Sequence, residues 1–392
     1  MGRLCTVRDV DWSGKTALVR VDFNVPMHAG EVADDTRIRA ALPTLQYLRE
    51  HAAKVVLLSH LGRPDGKVSE RYSLRPVAQR VADVLGAPCA FGTDCVGAVA
   101  EDAVSAINAG EVVLLENVRF HPEEEANESG FAGQLAGLAD VFVNDAFGTA
   151  HRAHASTTGV AEFLPAVAGL LMDKEIAFIG AALERPKRPF LAIVGGAKIS
   201  SKLAVLENLI DRVDRLVIGG GMANTFLKAN GREVGKSLVE ADLVDSAEAL
   251  FARGDKIVLP IDVVVTTDLK GTAAPRTCAV DQVRSDEMIV DIGPGSIERF
   301  TTEIAASGTV LWNGPMGVFE DPRYAAGTLS VAQAMAASSA TTIVGGGESV
   351  QAVEQAGLAA KLTHVSTGGG ASLEFIEGKV LPGVGALRSD CS

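Results

Sequence analysis

Phe190-Leu191-Ala192-Ile193-Val194-Gly195-Gly196-Ala197-Lys198-Ile199-Ser200-Ser201-Lys202 is the stretch on which the fold turns. Five apolar residues in a row, with no polar alternation, predict a short strand covered on both faces, as in a parallel sheet flanked by helices. The glycine pair that follows suits a tight turn from strand into helix, and lets backbone approach a ligand closely.

The same pattern recurs along the chain. Strands are expected at 16–21, 54–58, 112–115 and 140–143 in the first half. In the second half they are expected at 190–194, 215–218, 256–259, 309–312, 341–344 and 362–365. Between them lie stretches of helical period, such as Ile38, Ala41, Leu42, Leu45 and Leu48, where Pro43 is expected to shift or kink the first turn. Strand and helix alternating over 392 residues predict an α/β protein of two doubly wound, parallel-sheet (Rossmann-like) domains. The run 170–183 reads as one connecting helix, stopped by Glu184-Arg185-Pro186-Lys187-Arg188-Pro189. The expected organisation is an N-terminal domain over 1–169, a hinge over 170–186, a second domain over 187–371 and a C-terminal segment over 372–392.

Composition bounds the function. A net charge of −13 argues against a nucleic-acid-coating or basic membrane-binding surface. Five cysteines (Cys5, Cys89, Cys95, Cys278, Cys391) without CxxC spacing predict a reducing compartment, no disulfide framework and no zinc site. No apolar run has membrane-span length and the N-terminus lacks a signal core, so a cytoplasmic protein is expected.

In open parallel sheets, ligands bind beyond the carboxyl ends of the strands. In the first half those ends carry Asp22-Phe23-Asn24, Ser59-His60-Leu61-Gly62-Arg63, Glu116-Asn117-Val118-Arg119 and Asn144-Asp145-Ala146-Phe147-Gly148-Thr149-Ala150-His151-Arg152, while Arg37 opens the helix after the first strand. Arginines converging on one crevice of an acidic protein predict a small carboxylate or phosphate ligand. Asp22 and Asp145 read as hydroxyl-binding or structural groups.

In the second half the strand ends carry glycine: Gly195-Gly196, Gly219-Gly220-Gly221, Asn313-Gly314-Pro315, Gly345-Gly346-Gly347 and Gly368-Gly369-Gly370. Lys198 and Lys202, four apart, would share a helix face toward a nucleotide's phosphates if the turn begins at the first glycine pair. Neither GxxxxGK[ST] nor GxGxxG with a following acidic residue is present, against a Walker loop and a dinucleotide site. Glu348, at an expected helix start, is the candidate Mg2+ ligand; a first-turn Glu complementing the helix dipole is the alternative.

These strand ends, in this order, resemble the phosphoglycerate kinase family over essentially the whole chain. The resembling segments include Arg20-Val21-Asp22-Phe23-Asn24-Val25-Pro26, Ser59-His60-Leu61-Gly62-Arg63-Pro64, Trp312-Asn313-Gly314-Pro315 and Gly317-Val318-Phe319-Glu320. The resemblance implies reversible phosphoryl transfer from 1,3-bisphosphoglycerate to Mg-ADP, giving 3-phosphoglycerate and ATP in glycolysis, by a monomer that closes about its hinge. It implies that Asp22 and Asn24 contact the glycerate and that His60, Arg63, Arg119 and Arg152 hold its phosphate. Arg37 and Lys198 would stabilise the transferring group, and Lys202 the nucleotide phosphates. Asn313, Pro315, Val318 and Glu320 would line the adenosine site, with Gly345, Gly346, Gly347, Glu348 and Ser349 around phosphates and magnesium. Gly195, Ala197, Gly219 and Gly220 complete the expected nucleotide face. Two positions depart from the family pattern: Glu348 replaces an Asp, and Met288-Ile289-Val290 replaces Met-Gly-Leu. A nicotinamide-dependent dehydrogenase and a two-domain binding protein without turnover are the competing expectations.

Overall fold

A computed structural model describes residues 4–272 and 274–388. The chain divides into two compact units, Met1–Ala177 with Val380–Ser392, and Phe178–Lys379. Each holds a six-stranded sheet whose strand pairings are all parallel.

The first sheet comprises β1 (Thr16–Arg20), β2 (Lys54–Leu58), β3 (Cys89–Gly92), β4 (Val112–Leu115), β5 (Val141–Asn144) and β6 (Ala166–Ala168), in the spatial order β3-β4-β2-β1-β5-β6. Val19 pairs with Leu57 on one side and Val143 on the other. Val19, Val55, Leu57 and Leu114 pack against Ile38, Leu45 and Leu48 of the helix Thr36–Glu50. Leu18, Val56 and Phe142, on the opposite face, are equally buried. Burial on both faces is what removes polar alternation from the sequence.

The second sheet comprises β7 (Phe190–Val194), β8 (Arg215–Ile218), β9 (Ile257–Val258), β10 (Thr309–Asn313), β11 (Thr341–Gly345) and β12 (His364–Val365), in the order β9-β8-β7-β10-β11-β12. Its core gathers Ile193, Val217, Val310, Trp312 and Val344 with Phe300, Ile304 and Met335 from flanking helices. In each unit the chain passes from one side of its first strand to the other, between β1 and β5 and between β7 and β10, which marks the two crevices where ligands bind in this class of sheet.

The ten anticipated strands are present within two residues. The sequence did not reveal a three-stranded antiparallel sheet of Asp262–Thr266, Arg276–Ala279 and Met288–Ile292, nor β3 and β6. Pro43 does not shift the start of its helix, which runs from Thr36 to Glu50 with the proline inside it. The proline is exposed, so its one missing hydrogen bond falls on the solvent side while the opposite face stays packed. Cys5 is disulfide-bonded, against the expectation of no disulfide framework; spacing rules address only cysteines close in sequence. Cys89, Cys95 and Cys278 are free.

The helix Leu170–Glu184 carries the chain from one unit to the other. Its first turn is capped from outside. The Leu170 amide donates to Thr44 Oγ1 at 2.9 Å, and those of Leu171 and Met172 donate to Asp145 Oδ1 at 2.9 and 3.3 Å. Burial pushes the Asp145 carboxyl up to about 7, against these bonds.

Candidate functional site

At the β1–β5 crevice the decisive residue is one inside a strand. Arg20 ends β1, fully buried, and its Nε donates to Ser156 Oγ at 2.8 Å. One of its terminal nitrogens, Nη2, lies 3.2 Å from His60 Nδ1. The buried Glu124 balances this charge: it accepts from the Ser156 amide at 2.8 Å and the Ser156 hydroxyl at 2.6 Å. Burial raises the Glu124 carboxyl, and the field of Arg20 opposes that rise. Burying opposite charges bridged by one serine in this way costs desolvation, so it is weak evidence of stabilisation and better evidence of a prearranged site.

Around that core the loops deliver further charge. Arg37 Nη1 donates to Asp22 Oδ2 at 2.8 Å, and the Gly62 amide donates to Asn24 Oδ1 at 2.9 Å. Arg119 Nη1 donates to the Gly62 carbonyl at 2.9 Å, and its Nε lies 3.2 Å from Glu125 Oε1. Arg152 is partly buried beside His151, while Arg63 is exposed. His60 reports the sum. Burial first, then Arg20, Arg119, Arg37 and Arg152, hold its imidazole well below the usual range, so it is neutral at pH 7. His154 is pulled down to about 4 by burial and by Arg119, Arg152 and Arg20. Five of the seven residues expected at this crevice thus fall in one electropositive cluster: Asp22, Arg37, His60, Arg119 and Arg152. Asn24 shapes the loop at its edge. A pocket of arginines with a neutral imidazole attracts a doubly charged anion.

Sequence reasoning missed Arg20 as a functional residue, with Glu124, His154 and Ser156. Only Arg20 left a signal, as a charge closing the otherwise apolar run Ala17-Leu18-Val19.

At the β7–β10 crevice the backbone itself forms the floor. The Gly195 amide donates to the Asn313 carbonyl and the Gly196 amide to the Pro315 carbonyl, both at 2.9 Å. Gly220 has φ +67°, and a Cβ there would lie 2.7 Å from Gly196 and Pro315 backbone atoms. Close backbone packing therefore requires glycine here, whatever ligand binds. Lys202 Nζ bridges the two strand ends, donating to the carbonyls of Gly195 at 2.7 Å and Asn313 at 3.1 Å. Burial lowers this lysine to about 8, while Glu348 acts the other way.

Two cavities flank that bridge. One, of about 510 Å³, is lined by Ala197, Gly220, Pro315, Val318, Glu320 and Glu348, with Leu227, Met288 and Ile289 on its apolar wall. The other, of about 300 Å³, is lined by Lys202, Asn313, Gly346, Gly347, Glu348 and Ser349. Volumes of this size hold small ligands. Glu348 borders both, in the first turn of the helix Gly347–Gln355. Ser349 Oγ accepts from the Gly314 amide at 2.6 Å and donates to the Gly345 carbonyl, so it fixes the loop. Gly195, Gly219 and Gly345 line neither cavity.

Lys198 and Lys202 do not share a helix face. Residues 195–202 form a turn in which Lys202 is the N-cap of the helix Leu203–Ile210. The glycine pair lengthens the loop by a full turn before the helix begins. Ile289 packs against Val263, Val265 and Cys278 of the small sheet, and its amide donates to Ser237 Oγ at 2.9 Å.

The model of the phosphoglycerate kinase family matches residues 7–379. A phosphoglycerate kinase of Pelotomaculum thermopropionicum is 58% identical over 386 residues, covering 97% of this chain and 98% of that protein. One of Chloroflexus aurantiacus is 58% identical over 393 residues, covering 98% of each chain. The solved phosphoglycerate kinase of Coxiella burnetii is 42% identical and superposes with a TM-score of 0.89 over 98% of both chains.

Proposed function

We propose, from the premise that this chain belongs to the phosphoglycerate kinase family, that its two crevices divide the reaction between them. The activity is that of the family: reversible phosphoryl transfer between 1,3-bisphosphoglycerate and ADP, giving 3-phosphoglycerate and ATP in glycolysis. In our reading the arginine pocket at β1–β5 holds the phosphoglycerate, with Asp22 and Asn24 toward the glycerate. Arg63, Arg119 and Arg152, with neutral His60, face its phosphate. The cavities at β7–β10 hold the nucleotide, its base on the apolar wall near Val318 and Glu320 and its phosphates toward Gly346, Gly347 and Lys202. The opposite chemistry of the two crevices, arginine in one and bare backbone with a single buried lysine in the other, is the observation that supports this division.

Phosphoryl transfer demands little covalent work from the protein; it needs alignment and charge neutralisation away from water. An acyl phosphate is already an activated donor, so no general base is required. Arg37 and Lys198 are assigned to the moving phosphoryl group. The nucleotide site fits a magnesium ion through the carboxylate of Glu348, which borders both cavities, while the buried, unpartnered Asn313 Nδ2 is a donor suited to a phosphate oxygen. One carboxylate plus phosphate oxygens is an ordinary magnesium set. When bound, the ion neutralises charge on the phosphate oxygens. The expected hinge over 170–186, the monomeric state and the cytoplasmic location belong to the same reading.

Arg37→Ala tests it. ATP formation from 1,3-bisphosphoglycerate should lose on the order of a hundredfold or more in kcat, as for removal of one stabilising donor. Titration calorimetry should show both ligands still binding. Near-normal kcat would remove Arg37 from its assigned role.

A further inference from the structure

Away from both crevices, the first unit gathers three side chains of metal-ligating type. Asp94 and Cys95 follow β3, and His121 follows the 3-10 turn Val118–Phe120 beyond β4. These strands are paired neighbours, with Gly92 opposite Leu115, so residues distant in sequence meet at adjacent strand ends. One ligating atom from each of Asp94, Cys95 and His121 lies within 4.8 Å of the other two. The His121 ring nitrogen Nε2 is 2.7 Å from Asp94 Oδ1, which also accepts the Cys95 amide at 2.7 Å. Cys95 is fully buried, whereas the Asp94 and His121 side chains are 42% and 28% exposed. The sulfur is a floor and the other two groups a rim open to solvent.

The surroundings favour a cation. The Asp94 carboxylate joins the other two members, accepting from the Cys95 amide and bonding the His121 ring. A carboxylate so placed attracts a dication and stabilises a metal thiolate. The cluster lies at the β3–β4 edge of the sheet, with β2 standing between it and β1, and the phosphoryl-transfer reading gives it no task.

We propose that Asp94, Cys95 and His121 form a binding site for one borderline-soft divalent cation of the zinc class. Sulfur, imidazole and carboxylate donors together select such an ion over magnesium or calcium, which take oxygen ligands. Binding breaks the Cys95 S–H bond, releases that proton to solvent and forms a metal–sulfur bond, with water completing the coordination. Ligand atoms in a tetrahedral zinc site stand about 3.3–3.8 Å apart, so the hydrogen-bonded Nε2–Oδ1 pair opens from 2.7 Å and the wider separations, within 4.8 Å, close by up to about 1 Å, within the reach of side-chain rotation. The site would tie the ends of β3 and β4 together.

Cobalt titrated into the full chelator-stripped chain tests this, since a cobalt–thiolate bond has a near-ultraviolet charge-transfer band. The expected result is a band saturating at one ion per chain, displaced by one equivalent of zinc and unaffected by excess magnesium. Cys95→Ala and His121→Gln should abolish it, and Cys89→Ala should leave it intact. Zinc should raise the melting temperature of the wild type but not of His121→Gln. If Cys95→Ala fails to fold, the partly exposed His121→Gln decides alone, with an expected loss of about tenfold or more in zinc affinity. No band in the wild type, a band surviving both substitutions, or unchanged zinc affinity in His121→Gln would overturn the proposal.

Discussion

Raising the pH above neutrality should detach the nucleotide's phosphates from Lys202 while leaving the fold in place. Burial holds the free lysine at about 8, whereas a phosphate beside it would restore the ordinary range near ~10.4. Only the protonated amine attracts the anion, so binding must draw in a proton wherever the free lysine is neutral. With a free value of about 8, the neutral fraction is roughly a tenth at about pH 7, half at about pH 8 and nine-tenths at about pH 9. Proton uptake on binding should follow those fractions. Above about pH 9 the affinity for ADP should fall close to tenfold per pH unit, or about 1.4 kcal/mol. The nucleotide's own terminal phosphate ionises near ~6, so it is silent above about pH 8. Titration calorimetry in buffers of different ionisation heat reads affinity and proton count together. Lys202→Arg, which stays charged, should flatten the pH dependence. Uptake near zero at every pH, or an unaltered slope in Lys202→Arg, would refute the argument that this amine is the phosphate contact.

Two further outcomes follow from the folded state alone. Asp145 has a folded value of about 7 against 3.8 unfolded, so its charge opposes folding. Stability from this group is greatest at low pH and declines as pH rises from about 4 to about 7, by on the order of 4 kcal/mol. Asp145→Asn should therefore gain stability over the wild type at about pH 8 and much less at about pH 4, read from urea midpoints; equal differences at both would contradict it. Gly220→Ala forces a side chain into a left-handed position 2.7 Å from facing backbone. It should cost about 2 kcal/mol or more in a thermal melt, with nucleotide affinity falling too.

The two parallel sheets were legible because burial on both faces leaves apolar runs such as Phe190–Val194 and Val112–Leu115. The antiparallel sheet escaped because its central apolar run is only Val263-Val264-Val265 and its neighbours are interrupted by polar residues, as in Arg276–Ala279, where Arg276 turns aside to Glu287. β6 is three small residues, Ala166–Ala168, too short to show a period. In the site, residues on loops after strands were readable as chemistry without an evident structural use. Arg20 was hidden because it lies inside a strand, and Glu124 because its partners Arg20 and Ser156 are distant in sequence. The helix face shared by Lys198 and Lys202 failed for another reason: where a helix begins depends on how the glycine loop packs, here against Asn313 and Pro315. Periodicity does not carry that contact.

The central claim is that two ligands bind two chemically distinct crevices, and a crossed binding experiment on the full chain tests it most directly. Calorimetry with 3-phosphoglycerate and with Mg-ADP should be run on the wild type, Arg119→Ala and Lys202→Met. The account predicts that Arg119→Ala loses at least about tenfold in affinity for 3-phosphoglycerate, the worth of one charged hydrogen bond, and keeps Mg-ADP. Lys202→Met should do the reverse. Loss of both ligands in either folded variant, or an exchange of the two losses, would contradict it.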